Sequence, residues 1–159
     1  IVECPAKAIS FKTPLEDCGR EVLKDVFQEK SIALVKPLII NFYCQYGAYS
    51  EDTSPVPDSL MDTHVRRVGV LGLGKVDPAL YLNAFEGGAH GVLVTACTED
   101  TCHFCNEKEW IEKRGKHTAQ LLSGLGMDSV RFQTHFVSSQ NGKEISGIVF
   151  KMLEELRNL

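Results

Sequence analysis

Short apolar runs alternate with amphipathic stretches along most of this chain. Pro37–Tyr43 (Pro-Leu-Ile-Ile-Asn-Phe-Tyr) is an apolar run of strand length and predicts a first strand. Arg67–Leu71, His90–Ala96 and Val130–Val137 predict three more. Between the second and third lies Asp77-Pro78, a helix start. Asp can cap free backbone N–H groups, and Pro is tolerated at the first helical position. That helix carries Leu80, Tyr81, Ala84 and Phe85 and ends at Gly87-Gly88. Asn106 with Glu109 has capping-box spacing and predicts a helix with Trp110, Ile111, Leu121 and Leu122, stopping near Gly124 or Gly126. Asn141 with Glu144 repeats the signal. The last helix places Ile145, Ile148, Val149, Met152, Leu153 and Leu156 on one face. Earlier, Val22, Leu23, Val26, Phe27 and Ile32 give residues 19–34 helical spacing. That helix has no strand of its own to cover, so it packs outside the main domain or on a partner.

Strands that are apolar on both faces and alternate with helices indicate a parallel sheet covered on both sides. The expected fold is a small doubly wound α/β domain, flavodoxin- or Rossmann-like, with about four parallel strands and helices on both faces. Three segments follow. Residues 1–14, with Pro5 and Pro14, read as a linker; 15–35 as an amphipathic linker helix; 36–159 as the α/β domain. The polar stretch Glu51–Asp58 reads as an exposed loop.

The 159 residues suffice for one well-formed core. Hydrophobic content of 43% and charged content of 24% are those of an ordinary globular chain. The net charge of −4 gives no reason to expect a nucleic-acid partner. No apolar run approaches the roughly 18 residues that predict a membrane-spanning helix, and no signal peptide is evident. The chain starts at Ile1 without a methionine and reads as a fragment or a processed product.

Six cysteines are many for such a domain. The long apolar strands give it a core without disulfide staples, so reduced thiols in a cytoplasmic protein are the expectation. Cys97, Cys102 and Cys105 follow the third strand directly, and Cys44 ends the first. In open parallel sheets, sites form beyond the carboxyl ends of the strands, where strand order reverses. If strand one is central, Cys44, Cys97 and the Leu71-Gly72-Leu73-Gly74 turn share one rim, with Cys102 and Cys105 on a loop above it. Thiolates are soft ligands, and four of them suit a [2Fe–2S] cluster or a tetrahedral zinc. The spacing alone equally allows cysteines buried as small hydrophobes.

Three segments carry a resemblance to the delta subunit of methyl-viologen-reducing hydrogenase, a domain also fused to the A-type subunits of heterodisulfide reductase. The resemblance spans residues 36–159. Phe42-Tyr43-Cys44-Gln45-Tyr46-Gly47-Ala48-Tyr49 resembles that family's Cys-x-Trp-Cys followed by Ser-Tyr. Gly72-Leu73-Gly74-Lys75-Val76-Asp77-Pro78 resembles its Cys-Ser-Gly-Arg-Val-Asp-Pro. Ala84–Val94, then Cys97-x4-Cys102-His103-Phe104, resembles its Ala-Phe-x-x-Gly-Ala-Asp-Gly-Val-Leu-Val and Cys-x4-Cys-His-Tyr. The family motif implies five cysteines serving a [2Fe–2S] cluster. Here Gly47 and Gly72 stand where two of them would be. Cys44, Cys97 and Cys102 are retained, and Cys105 is extra. A cluster then needs Cys105 in place of a lost ligand, and loss of the cluster is the favoured expectation.

Val2-Glu3-Cys4-Pro5 resembles the end of a bacterial ferredoxin motif, where a final Cys-Pro follows earlier cysteines. Cys4 is thus expected to be a [4Fe–4S] ligand only in a longer parent, whose FAD also lies outside this chain. The expected role is an electron-transfer and docking domain, not catalytic on its own. Its expected partners are other subunits of a heterodisulfide-reductase-like or quinone-interacting redox complex. The expected location is the cytoplasm, at the inner face of the membrane only through such partners. The alternatives are a structural adaptor that has lost its cluster, a flavodoxin-like nucleotide or FMN domain, and a structural zinc site. Gly72-x-Gly74 lacks the third glycine of a nucleotide loop. Lys75 and Asp77 read as a solvated lysine and a helix cap. His103 reads as a cluster-tuning or loop residue, and Trp110 as core or interface packing. His64, His117 and His135 carry no expected role.

Overall fold

The computed structural model describes residues 21, 23–25, 27, 36–46, 64–104, 106–137 and 142–159. Four strands form one all-parallel sheet: β1 (Ile39–Cys44), β2 (Val65–Val70), β3 (Gly91–Cys97) and β4 (Phe132–Val137). Their order is β2-β1-β3-β4. The chain starts its sheet in the interior, steps out to β2, then crosses back over β1 to β3. Order therefore reverses between β1 and β3, which register Phe42 against Val94 and Tyr43 against Thr95.

Among the described residues three helices with complete bounds cover the sheet: α1 (Pro78–Glu86), α2 (Glu107–Gly124) and α3 (Gly142–Arg157). Two apolar layers result, as the two-residue period of the strands demands. Ile40, Phe42 and Cys44 of β1, with Val92, Val94 and Ala96 of β3, join Tyr81 and Ala84 of α1 and Ile111 and Leu122 of α2. On the other face Ile39, Leu93 and Val137 meet Ile145, Val149, Met152 and Leu153 of α3. The doubly wound α/β expectation holds. Inside this apolar sheet Thr95 Oγ1 donates to Asn41 Oδ1 at 2.8 Å, so the two buried polar side chains satisfy each other.

Several details differ from the sequence reading. β2 and β4 are edge strands and are half-buried, with Arg66 and Arg67 in β2, rather than apolar on both faces. Val130 lies in a 3-10 turn (Ser129–Arg131) ahead of β4, because Asp128 accepts from its N–H at 2.9 Å. Asn106 makes no side-chain cap. It enters α2 in the left-handed conformation (φ 60°), which turns its side chain away from the cap geometry, and Glu109 pairs with Lys113 instead. Trp110 is 53% exposed, which removes it from the core. In the early helical segment, Leu23 is buried in the layer beneath α1 and α2, and the Phe27 ring lies so close to Gly87 that a Cβ there would meet it. Asn141 lies outside the described residues. No described helix is long and apolar enough to cross a membrane.

Candidate functional site

A cleft of about 260 Å³ opens at the carboxyl ends of β1 and β3, where strand order reverses. Cys44, Cys97 and Cys102 all line it, with Phe104, Glu107 and Ile111 among their neighbours. Three of the four expected thiols therefore reach one crevice. Cys105 lies outside the described residues, as do Cys4 and Gly47.

Local structure explains the convergence. Cys44 is the last residue of β1 and is buried, its Sγ 3.9 Å from the Leu71 carbonyl at the end of β2. Cys97 is the last residue of β3 and half-buried. A tight turn then reverses the chain: the Thr101 N–H donates to the Thr98 carbonyl at 3.1 Å, and the Thr101 hydroxyl reaches the same oxygen at 3.2 Å. That turn returns Cys102 to the rim. His103 and Phe104 follow, and both stack edge-on against Tyr46, at 6.3 and 5.9 Å between ring centroids. His103 is thus a loop contact. Lys75 lies 5.8 Å from the Phe104 ring. Tyr46 and Leu71 are both largely exposed on this rim.

The residue that sequence reasoning missed is Glu107. It is the first residue of α2, yet only 6% exposed. Its Oε2 accepts from the Gly74 N–H at 3.0 Å. Its Oε1 lies where a Cβ on Gly72 would stand only 2.9 Å away. Further along α2, the Arg114 guanidinium donates to the Val76 carbonyl. The same helix thus holds the β2–α1 turn at two points. Beneath them, burial holds the Tyr81 hydroxyl well above the ordinary tyrosine range, with Arg114 opposing and Glu107 adding to the effect. No motif in the sequence signals Glu107. A first-turn glutamate is ordinarily a solvated helix-dipole partner.

The donors can be tested against a [2Fe–2S] cluster. Gly72, where the resemblance places a cysteine, faces a carboxylate instead of an open coordination site. Among the described residues no three His, Cys, Asp or Glu side chains form a metal-holding group. The described donors do not fit a preformed cluster site. The Gly74 N–H, which a phosphate-binding loop would offer to a ligand, is engaged by Glu107. Asp77 is the helix cap expected, accepting from the Ala79 N–H at 2.8 Å. His64 is buried against the Pro37 carbonyl, 3.0 Å away at the opposite end of the sheet from the cleft.

Known proteins show the same stretch of chain in two settings. Over 124 residues the chain is 27% identical to the A-type subunit of a ferredoxin/F(420)H(2)-dependent CoB-CoM heterodisulfide reductase from Methanosarcina acetivorans. The match takes in 77% of this chain but only 16% of that protein's length. Over 127 residues it is 28% identical to the vhu iron-sulfur subunit of the F420-non-reducing hydrogenase from Methanococcus maripaludis, covering 79% of this chain and 95% of that relative. A third relative, the corresponding subunit of Methanocaldococcus jannaschii, is 28% identical over 124 residues, 92% of its length. Residues 39–159 match the model of the methyl-viologen-reducing hydrogenase, delta subunit, and the chain belongs to that family.

Proposed function

We propose that this domain docks a larger redox subunit onto a partner subunit in a complex of the heterodisulfide reductase or hydrogenase type. One observation carries this reading. Its relatives make up 16% of a long heterodisulfide reductase polypeptide and 95% of a separate hydrogenase polypeptide. A unit that occurs both fused and free is suited to joining two subunits. The exposed Tyr46 and Leu71 beside the cleft give the carboxyl rim an apolar contact surface. The electron-transfer version requires a cluster, for which the described donors are incomplete, so docking is the primary role. The remaining assignments rest on the same reading. Residues 1–14, with Cys4, would be the end of a ferredoxin segment in a longer parent, and 15–35 the stretch that joins it to the α/β domain. FAD and [4Fe–4S] clusters belong to the parent. The partners are heterodisulfide-reductase-like or quinone-interacting subunits, and the complex is cytoplasmic.

The test compares two versions of the full-length protein purified anaerobically with its complex. Deleting residues 36–159 is expected to release the parent from hydrogenase- or heterodisulfide-reductase-type subunits on gel filtration. Replacing Cys97 and Cys102 by Ser is expected to leave the complex assembled. A complex that survives the deletion disproves docking. Iron and acid-labile sulfide, with an EPR signal from the reduced protein that vanishes in the Cys97→Ser/Cys102→Ser variant, would make the domain a relay instead.

A further inference from the structure

Glu107 is the one buried acidic side chain among the described residues. A carboxylate leaves water only where donors replace its hydration. Here the Gly74 N–H supplies one at 3.0 Å. The rest of the fit is steric. A Cβ at position 72 would come within 2.9 Å of Oε1, and one at 74 within 3.2 Å of the carboxyl carbon. The two glycines form a notch that receives this side chain. The left-handed turn at Asn106 starts α2 immediately before it, at the cleft's edge.

We propose that Glu107 is an internal substitute for the missing ligand at position 72. A thiolate there would tie the β2–α1 turn to a metal. The carboxylate ties the same turn to α2, and so keeps the cleft in shape without one. Arg114, two turns further along the helix, holds the end of the turn through Val76. This inference stands apart from docking, since the tie exists whether or not a partner binds the rim.

Hydrogen exchange and a double-mutant cycle in the full-length protein test it. Glu107→Ala is expected to speed exchange of the Gly74 amide about tenfold, the scale of losing one hydrogen bond to a charged group. Amides of β1 and β3 should keep their protection. Glu107→Gln keeps an acceptor oxygen and leaves no cavity, so it should give an intermediate rate. Gly72→Ala is expected to lower the folding equilibrium constant about tenfold when Glu107 is present and less than twofold when residue 107 is Ala. Such coupling is the mark of groups in contact. Additive effects of the two substitutions, or a Gly74 rate unchanged in both Glu107 variants, overturn the proposal. So does a stoichiometric iron or zinc that is lost in Glu107→Gln, which would make Glu107 a ligand rather than a tie.

Discussion

Asp77 caps α1 through the Ala79 N–H, and Pro78 opens the helix behind it. Asp77→Ala is expected to cost about 1 kcal/mol in urea unfolding, the usual loss for an N-cap. His90 answers to pH. Its Nδ1 accepts from the Leu38 N–H at 3.2 Å, which needs a neutral ring nitrogen. Burial, then the charges of Lys36 and Arg131, hold it below the ordinary imidazole range. As pH falls, the unfolded chain takes up this proton first. The stability from His90 is therefore complete above about pH 6.5 and declines below it. Urea midpoints at pH 7.5 and 5.5 should differ less in His90→Asn than in the unaltered protein. Some slope will remain, because burial and Lys151 also lower His135. At this scale the sequence discloses Asp77 and the three thiols, since caps and strand ends are read from neighbours in the chain. It cannot disclose Glu107, whose role depends on a glycine 33 residues away.

Packing between elements is tight where α3 lies on β3. A Cβ at Gly91 would come within 2.7 Å of Met152 Cε and 2.8 Å of Leu156 Cδ1. Met152 is fully buried, so Met152→Ala is expected to destabilise by about 2–5 kcal/mol. Gly91→Ala should cost about 1–3 kcal/mol through overpacking of the same contact. Chemical denaturation of both variants checks the pair, and a neutral Gly91→Ala would show that the two side-chain ends swing aside. The interior strands β1 and β3 are legible because burial on both faces leaves apolar runs, interrupted only by Asn41 and Thr95, which bond each other. The sequence places the start of β2 two residues late, since Arg66 separates Val65 from the rest of the run on an edge strand. It places the start of α2 correctly, but through the wrong contact. Asn106 and Glu109 have capping spacing, yet Glu109 bonds Lys113 at 2.7 Å one turn on. Spacing in sequence does not reveal a left-handed φ.

For the whole molecule, the sheet order follows from the first apolar strand lying in the interior, and the cleft follows from the order. A metal-free tie predicts indifference to chelation: treatment with EDTA or a phenanthroline should leave the thermal midpoint unchanged. A chelator-induced fall of several degrees would show a structural metal instead. β1 also has a consequence for synthesis. Of this sheet's strands it is made first, and Ile40 lies between Arg66 of β2 and Val92 of β3. The second neighbour is about fifty residues downstream, roughly 3–10 s of translation at ~5–20 residues per second. During that interval Ile39, Ile40 and Phe42 have no completed sheet to cover them, and a chaperone that shields short apolar segments on the ribosome would act in this window.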